Sequence, residues 1–226
     1  KKTGIQFMQL NTLYQLLAMS KSNSPALKNA KKFLMIPDLF NYWLTGNAVS
    51  EFSIASTSQV YNPITKNWDA ELLEKIGIPF DIMPEIVQPG TKIGNICDTL
   101  AAEVESPNAI PVFAPCCHDT GSAVAAVPAT TDNFAYISSG TWSLMGMEIA
   151  EPILTDEALE AGFTNDGGVS GTFRFLHNIM GLWIVQECRR TWLARGEDIS
   201  YAELTSMAAE AEGFRSIIDP DDTLFL

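Results

Sequence analysis

The run from Cys116 to Trp142 gathers the residue types most able to do chemistry in this chain. Cys116-Cys117-His118-Asp119-Thr120-Gly121-Ser122-Ala123 sets an imidazole beside a carboxylate at a corner that reads as strand into helix. Ile137-Ser138-Ser139-Gly140-Thr141-Trp142-Ser143 sets a Gly-Thr turn between two apolar strands. A carboxylate at such a corner suits a general base. A Gly-Thr turn suits an oxyanion such as a phosphate, because glycine lets the backbone approach and threonine adds a hydroxyl to a nest of N–H groups. A base next to a phosphate cradle is the minimum kit for moving a phosphoryl group onto a hydroxyl.

Each of these residues also has a plainer reading. Asp119 is either the N-cap of the helix that follows or the base that takes a proton from a hydroxyl. His118 is either a satisfied structural histidine or a hydrogen-bond partner for a polyol. Gly140-Thr141 is either an ordinary hairpin turn or a phosphate contact. Asn178, Leu182 and Gln186 recur at steps of four, one stripe of a predicted helix. Asn178 is then a cap and Gln186 a solvated side chain, or both point into a cleft. The Cys116-Cys117-His118 triplet is not a thiol-hydrolase signature, since a catalytic cysteine needs its base brought to it in space. No residue set has metal-ligand spacing, and neither a P-loop nor a dinucleotide-binding glycine motif is present.

These residues need elements to hold them. Leu10, Leu13, Tyr14 and Leu17 predict an amphipathic helix over residues 5–20. Pro37-Asp38 predicts a helix start and Gly46 its end, with Leu39, Phe40, Trp43 and Leu44 on the buried face. The Ser- and Thr-rich segment from Phe52 to Tyr61 reads as irregular and superficial. Asp69 caps a short helix that carries Leu72, Leu73 and Ile76 and stops at Gly77. Ala109 to Ala114 reads as a short buried strand that delivers His118-Asp119, and Thr120 to Val127 as the helix after it. Pro128 to Asn133 is a polar connector. Phe134 to Ser139, Trp142 to Ile149 and Thr172 to Leu176 predict strands, with a turn at Asn165-Asp166-Gly167-Gly168. Asn178 to Leu193 predicts a long helix, and Ser200 with Glu203 a capping box that opens another. The material is α/β.

Composition sets outer limits. The chain has 226 residues, 46% of them hydrophobic, and a formal net charge of −13. That charge argues against nucleic acid and against anionic membrane surfaces as partners. It leaves room for a nucleotide, whose phosphates are met locally. Four cysteines (Cys97, Cys116, Cys117, Cys188) lack paired zinc-type spacing and read as reduced thiols of a cytoplasmic protein. No apolar run approaches the ~18–20 residues that span a bilayer. Both ends read as cut: the chain opens on Lys1-Lys2-Thr3-Gly4 and closes on an apolar Thr223-Leu224-Phe225-Leu226. A fragment of a longer protein is the expectation.

His118 to Val124, Ser138 to Gly146, Thr164 to Gly168 and Asn178 to Trp183 together resemble the rhamnulokinase branch of the FGGY carbohydrate kinases. Pro37 to Gly46, Glu51 to Ser56 and Gly77 to Gly90 resemble the middle of that family's first domain. The resemblance implies an α/β actin-like ATPase (ribonuclease H-like) fold, with parts of two lobes. Residues 1–130 would be the later part of the first, sugar-binding domain, and residues 131–226 the opening part of the second, nucleotide-binding domain. It implies Asp119 as catalytic base, His118, Asp119, Thr120 and Asn178 as sugar contacts, and Gly140, Thr141 and Gln186 as nucleotide contacts. The implied substrates are L-rhamnulose and ATP, with Mg²⁺ across the phosphates and closure of two domains excluding water. The product would be L-rhamnulose 1-phosphate. The family's first phosphate hairpin and its adenosine-site glycines have no counterpart here, so residues 1–226 alone are expected to be inactive. A binding module of the same fold, or a kinase for another ketose such as fuculose or xylulose, stays open. Oligomeric state is not legible.

Overall fold

Several helices begin where a side chain caps them. In the computed structural model, Asp69 accepts from the Leu72 N–H at the start of a helix, and Ser200 with Glu203 closes a full capping box. The structure describes residues 1–131, 133–220, 222 and 225. Asp132 of the polar connector, and Thr223, Leu224 and Leu226 of the closing apolar run, lie outside the described residues. The chain divides into two compact units. One comprises Lys1–Ala135 and Gly146–His177, the other Tyr136–Met145 and Asn178–Leu226.

The first unit opens with α1 (Thr12–Lys21), α2 (Pro25–Asn29) and α3 (Ile36–Thr45). It continues through β1 (Val49–Glu51), α4 (Phe52–Ser56), β2 (Tyr61–Asn62), β3 (Asn67–Trp68), α5 (Ala70–Lys75) and β4 (Glu85–Val87). Next come β5 (Lys92–Asn95), α6 (Asp98–Glu103), β6 (Pro111–Phe113) and α7 (Asp119–Ala125). Its core gathers Leu16, Ala55, Val60, Trp68, Leu73, Ile76, Ile78, Ile82 and Met83. The Trp68 indole N–H is satisfied inside that core by the Pro84 carbonyl at 2.7 Å. β1 pairs in parallel with β4, and β5 pairs antiparallel with β6.

β7 (Ala135–Ser139) and β8 (Trp142–Ile149) follow, then α8 (Asp156–Glu160), β9 (Phe163–Gly167) and β10 (Phe173–Met180). α9 (Trp183–Ala194) and α10 (Tyr201–Glu210) complete the order. β8 and β10 each have residues in both units. Within the first unit β10 lies between β8 and β9, and runs antiparallel to β9 from Phe173 opposite Gly167 to His177 opposite Phe163. Gly146 is glycine for packing: a Cβ there would stand 2.6 Å from the Leu176 Cβ. Within the second unit β8 lies between β7 and β10.

Five expectations in the first unit need correction. α1 starts at Thr12 instead of residue 5, and Leu10 is exposed. α3 buries Asp38 and Asn41 and turns Phe40, Trp43 and Leu44 outward, because Asp38 is engaged by Ser50 and Glu51. Residues 52–61 are core in place of surface, since their hydroxyls are spent on local carbonyls: Ser56 on Ser53, Thr57 on Ile54 and Ser58 on Ala55. Asn165 to Gly167 is strand where a turn is expected. The Asn165 side chain is consumed by Gly4 and Ile153, and the reversal comes later, at Ser170 and Gly171 with positive φ. The strand before His118 is shorter and less covered than expected, with Phe113 53% exposed.

Candidate functional site

The corner that carries Asp119 is built from buried carboxylates upward. Asp38, in the first turn of α3, accepts from the Ser50 hydroxyl at 2.6 Å and from the Glu51 N–H at 2.9 Å. Burial pushes its carboxyl up to about 6, against the pull of the Ser50 and Glu51 hydrogen bonds. Glu51, itself wholly buried, caps α4: its carboxylate accepts from the Ser53 N–H at 2.8 Å, the Ile54 N–H at 3.3 Å and the Ser53 hydroxyl. The same carboxylate accepts from the Cys117 N–H at 2.9 Å, and Ser53 Oγ accepts from the His118 N–H at 3.0 Å. Consecutive backbone amides ahead of Asp119 are thereby tied to α4.

Asp119 is the first residue of α7, one place past the N-cap, which is His118. The capping alternative for Asp119 therefore fails. Its side chain is 97% exposed, and Oδ1 accepts from the Thr120 N–H at 2.7 Å. Gly121 follows without a Cβ because one would stand 2.4 Å from Cys116 Sγ.

His118 lies mostly buried between Asp119 and β9–β10. Its Nε2 is 3.8 Å from Asp119 Oδ1, and its Nδ1 is 2.7 Å from Arg174 Nη2 and 3.6 Å from Asp166 Oδ2. Arg174 is wholly buried, donates from Nε to the Gly167 carbonyl at 3.1 Å, and stands 3.6 Å from Asp166 Oδ2. Burial lowers the His118 pKa; Asp166 opposes the shift and Arg174 adds to it. Burial and the Glu51 and Asp38 carboxylates push the Cys117 thiol up to about 12, and burial raises Cys116 as well. Neither has the depressed pKa of a nucleophilic cysteine.

The Gly140–Thr141 turn belongs to the second unit, as do Asn178 and Gln186. The Gly140 N–H donates to the Trp142 carbonyl at 2.7 Å, the tight link expected between β7 and β8. The Thr141 carbonyl accepts from the Gly181 and Trp183 N–H groups at 3.2 Å each, and the Gly140 carbonyl accepts from Leu182 at 2.9 Å. Residues 181–183 are thus stitched to the turn, leaving Thr141 exposed. A Cβ on Gly181 would stand 2.7 Å from the Gly140 oxygen.

The Asn178-to-Leu193 helix expectation is corrected here. Asn178 is on β10, the helix begins at Trp183, and Gln186 sits in its first turn. Asn178, Leu182 and Gln186 therefore do not form one helical stripe. The residues brought together are His118, Asp119 and Thr120 in one unit, and Gly140 and Thr141 with the segment between Asn178 and Gln186 in the other. Sequence spacing does not single out Glu51, Ser53, Asp166 or Arg174, whose side chains support the corner. Arg174, the lone charge in the apolar run Phe173–Leu176, is the sequence signal that points to the last pair.

Among the described residues no group of three or more His, Cys, Asp or Glu is placed to hold a metal ion, and no helix is long and apolar enough to cross a membrane. The N-terminal domain of the FGGY family of carbohydrate kinases matches residues 1–126, and the C-terminal domain of the same family matches residues 135–226. The rhamnulokinase of Bacteroides thetaiotaomicron is 47% identical over 224 residues, which is 99% of this chain and 45% of that protein. The Bacillus subtilis rhamnulokinase is 42% identical over 226 residues, again 45% of its length. The chain thus spans about half the length of the curated relatives it matches. Among solved structures, a ligand-bound xylulose kinase from Lactobacillus acidophilus superposes with a TM-score of 0.75 at 20% identity, over 93% of this chain and 42% of that one. Plasmodium falciparum glycerol kinase with ADP gives a TM-score of 0.74 at 17% identity, with the same coverage. The α/β fold is that of these sugar kinases, the actin-like ATPase fold, of which this chain covers part.

Proposed function

The chain belongs to the FGGY family of carbohydrate kinases, and from that we propose that the protein containing it transfers the γ-phosphoryl group of ATP to the 1-hydroxyl of L-rhamnulose. Residues 1–130 are assigned to the later part of the sugar-binding domain, and residues 131–226 to the opening part of the nucleotide-binding domain. Asp119 accepts the proton of the 1-hydroxyl while that oxygen forms its bond to phosphorus; the bond from phosphorus to the bridging oxygen breaks, and ADP leaves. His118, Thr120 and Asn178 hold the ketose. Gly140, Thr141 and Gln186 contact the nucleotide. ATP enters as its magnesium complex, with Mg²⁺ written as part of that substrate. The four free cysteines suit a reducing cytoplasm.

One observation supports this reading above the rest: an exposed carboxylate fixed at a rigid corner beside a nearly buried imidazole. Asp119 accepts one local hydrogen bond, from the Thr120 N–H, and gains little from packing, so its position is best explained by a ligand. The test is coupled ADP release by the intact protein over a panel of ketoses including L-rhamnulose, fuculose and xylulose. Asp119→Asn is expected to lower turnover by about 10²–10⁴-fold while sugar binding by calorimetry persists. ADP release unaffected by Asp119→Asn would reject the assignment. Sugar binding without ADP release in the wild type would mark a binding module instead. Residues 1–226 on their own are expected to turn over no rhamnulose, with Asp119→Asn as the control for contaminating kinase.

A further inference from the structure

We propose that Arg174 is a positioning residue that fixes His118 as the neutral Nε2–H tautomer, so that the ring edge nearest Asp119 donates a hydrogen bond to an oxygen of a polyol substrate. The argument starts from donor counting. A guanidinium carries five N–H donors, no acceptor, and does not lose its proton in proteins. Arg174 Nη2 lies 2.7 Å from His118 Nδ1, so Nδ1 must be the acceptor. An imidazolium, or the Nδ1–H tautomer, would set N–H against N–H at that distance. A neutral imidazole has one N–H, and with Nδ1 accepting, the proton sits on Nε2.

The arrangement has little freedom to rearrange. Arg174 is held from the other side by the Gly167 carbonyl at 3.1 Å, and β10 is paired with β9 across this stretch. Asp166 Oδ2, at 3.6 Å from both Nη2 and His118 Nδ1, offsets the guanidinium charge without being close enough to take over either hydrogen bond. The charged groups that face the ring are Asp166 on β9, Arg174 on β10, Asp119 on α7 and Glu51 on β1. Burial lowers the proton affinity of the ring in the same direction.

His118 Nε2 stands 3.8 Å from Asp119 Oδ1, too far for a direct hydrogen bond. A donor and an acceptor are thus left side by side, each available to a neighbouring oxygen of one ligand. Asp119 takes a hydroxyl hydrogen and His118 donates to an adjacent hydroxyl or carbonyl oxygen. This last step rests on the kinase reading; the tautomer does not.

The experiment uses the protein labelled with ¹⁵N at histidine and long-range ¹H–¹⁵N correlation spectra from pH 5.5 to 8, with His118→Gln to assign the signal. The wild type is expected to show the Nε2–H pattern throughout. Arg174→Met is expected to mix the tautomers and raise the proton affinity of the ring, Arg174→Lys to restore the Nε2–H form, and the ketose KM of Arg174→Met to rise about tenfold with kcat changed less. An Nδ1–H ring or an imidazolium at pH 7 in the wild type overturns the proposal, whether or not any variant folds. A pure Nε2–H ring in folded Arg174→Met also overturns it. The kinase reading fails separately, by absence of ADP release with every ketose while the tautomer stands.

Discussion

The Glu51 carboxylate and the Cys117 N–H are 66 positions apart in sequence and 2.9 Å apart in space. That bond joins the cap of α4 to the segment that presents Asp119. Glu51 also satisfies Ser53 and Ile54, so one buried carboxylate serves donors from two segments.

Glu51→Ala should therefore do more than remove a side chain. It leaves the N–H groups of Ser53 and Cys117 without their acceptor in a dry environment, and the expected loss is about 3 kcal/mol of unfolding free energy. Glu51→Gln keeps one acceptor oxygen but turns an NH₂ toward a donor, so a smaller loss is expected. Urea denaturation of both variants checks this. An Ala variant within about 0.5 kcal/mol of wild type would place it among ordinary surface changes and show that the carboxylate does not hold the corner.

Gly121→Ala tests how tightly the corner is packed. The new Cβ would stand 2.4 Å from Cys116 Sγ, and 3.5 Å from Arg174 Nε. The sulfur is thus the main obstruction, and the expected cost is about 1–3 kcal/mol of overpacking. Cys116→Ala removes the sulfur, so the double variant should recover a good part of that cost. A double-mutant cycle by thermal unfolding reads the coupling; additive effects would mean that the strain lies elsewhere.

What was legible in the sequence was local. Asp69 and Ser200 cap helices because their partners lie within three residues, and Gly140-Thr141 makes its turn because the closing N–H and carbonyl are two residues apart. What failed depended on distant partners. Phe40 and Trp43 have the spacing of a buried face, yet Ser50 and Glu51 hold Asp38 inside and so turn the opposite face of α3 inward. Asn165-Asp166-Gly167 has turn composition, yet Gly4, Ile153, Ser56 and Arg174 take up its polar groups and hold it in a strand. Asn178 has helical spacing to Gln186, yet ladder pairing carries β10 through Met180. The sequence singles out Asp119 because its neighbours are chemically distinctive; it does not single out Arg174, whose partner His118 is 56 positions away.

Asp38 should make stability depend on pH. Its folded-state pKa of about 6 lies above the ordinary 3.8, so between those values the folded chain binds more protons than the unfolded one. Its contribution is therefore full below pH 3.8 and is lost as pH rises through about 6. Asp38→Asn lacks this titration. The advantage of wild type over Asp38→Asn should be larger at pH 5 than at pH 7, by about 1 kcal/mol. Urea unfolding at the two pH values measures it, and an advantage that grows toward pH 7 would contradict the assigned shift.

Gly181 gives the corresponding test in the second unit. A Cβ there would meet backbone: the Gly140 oxygen and Trp142 carbonyl carbon at 2.7 Å, and the Ser143 nitrogen at 2.8 Å. No rotamer change relieves contacts of that kind, so Gly181→Ala must push residues 181–183 away from the turn and stretch the bonds from Gly181, Leu182 and Trp183 to Thr141 and Gly140. The expected cost is about 1–3 kcal/mol. Under the kinase reading ATP affinity should weaken at least in proportion, because Thr141 loses its support. Gly213→Ala is the control, since a Cβ there would have nothing within 4 Å, and it should leave both quantities unchanged. Denaturation gives the first quantity and calorimetric titration of ATP into the intact protein the second. Loss of stability with ATP binding intact would separate the turn from the nucleotide site, while a fully tolerated Gly181→Ala would remove the stitched turn itself.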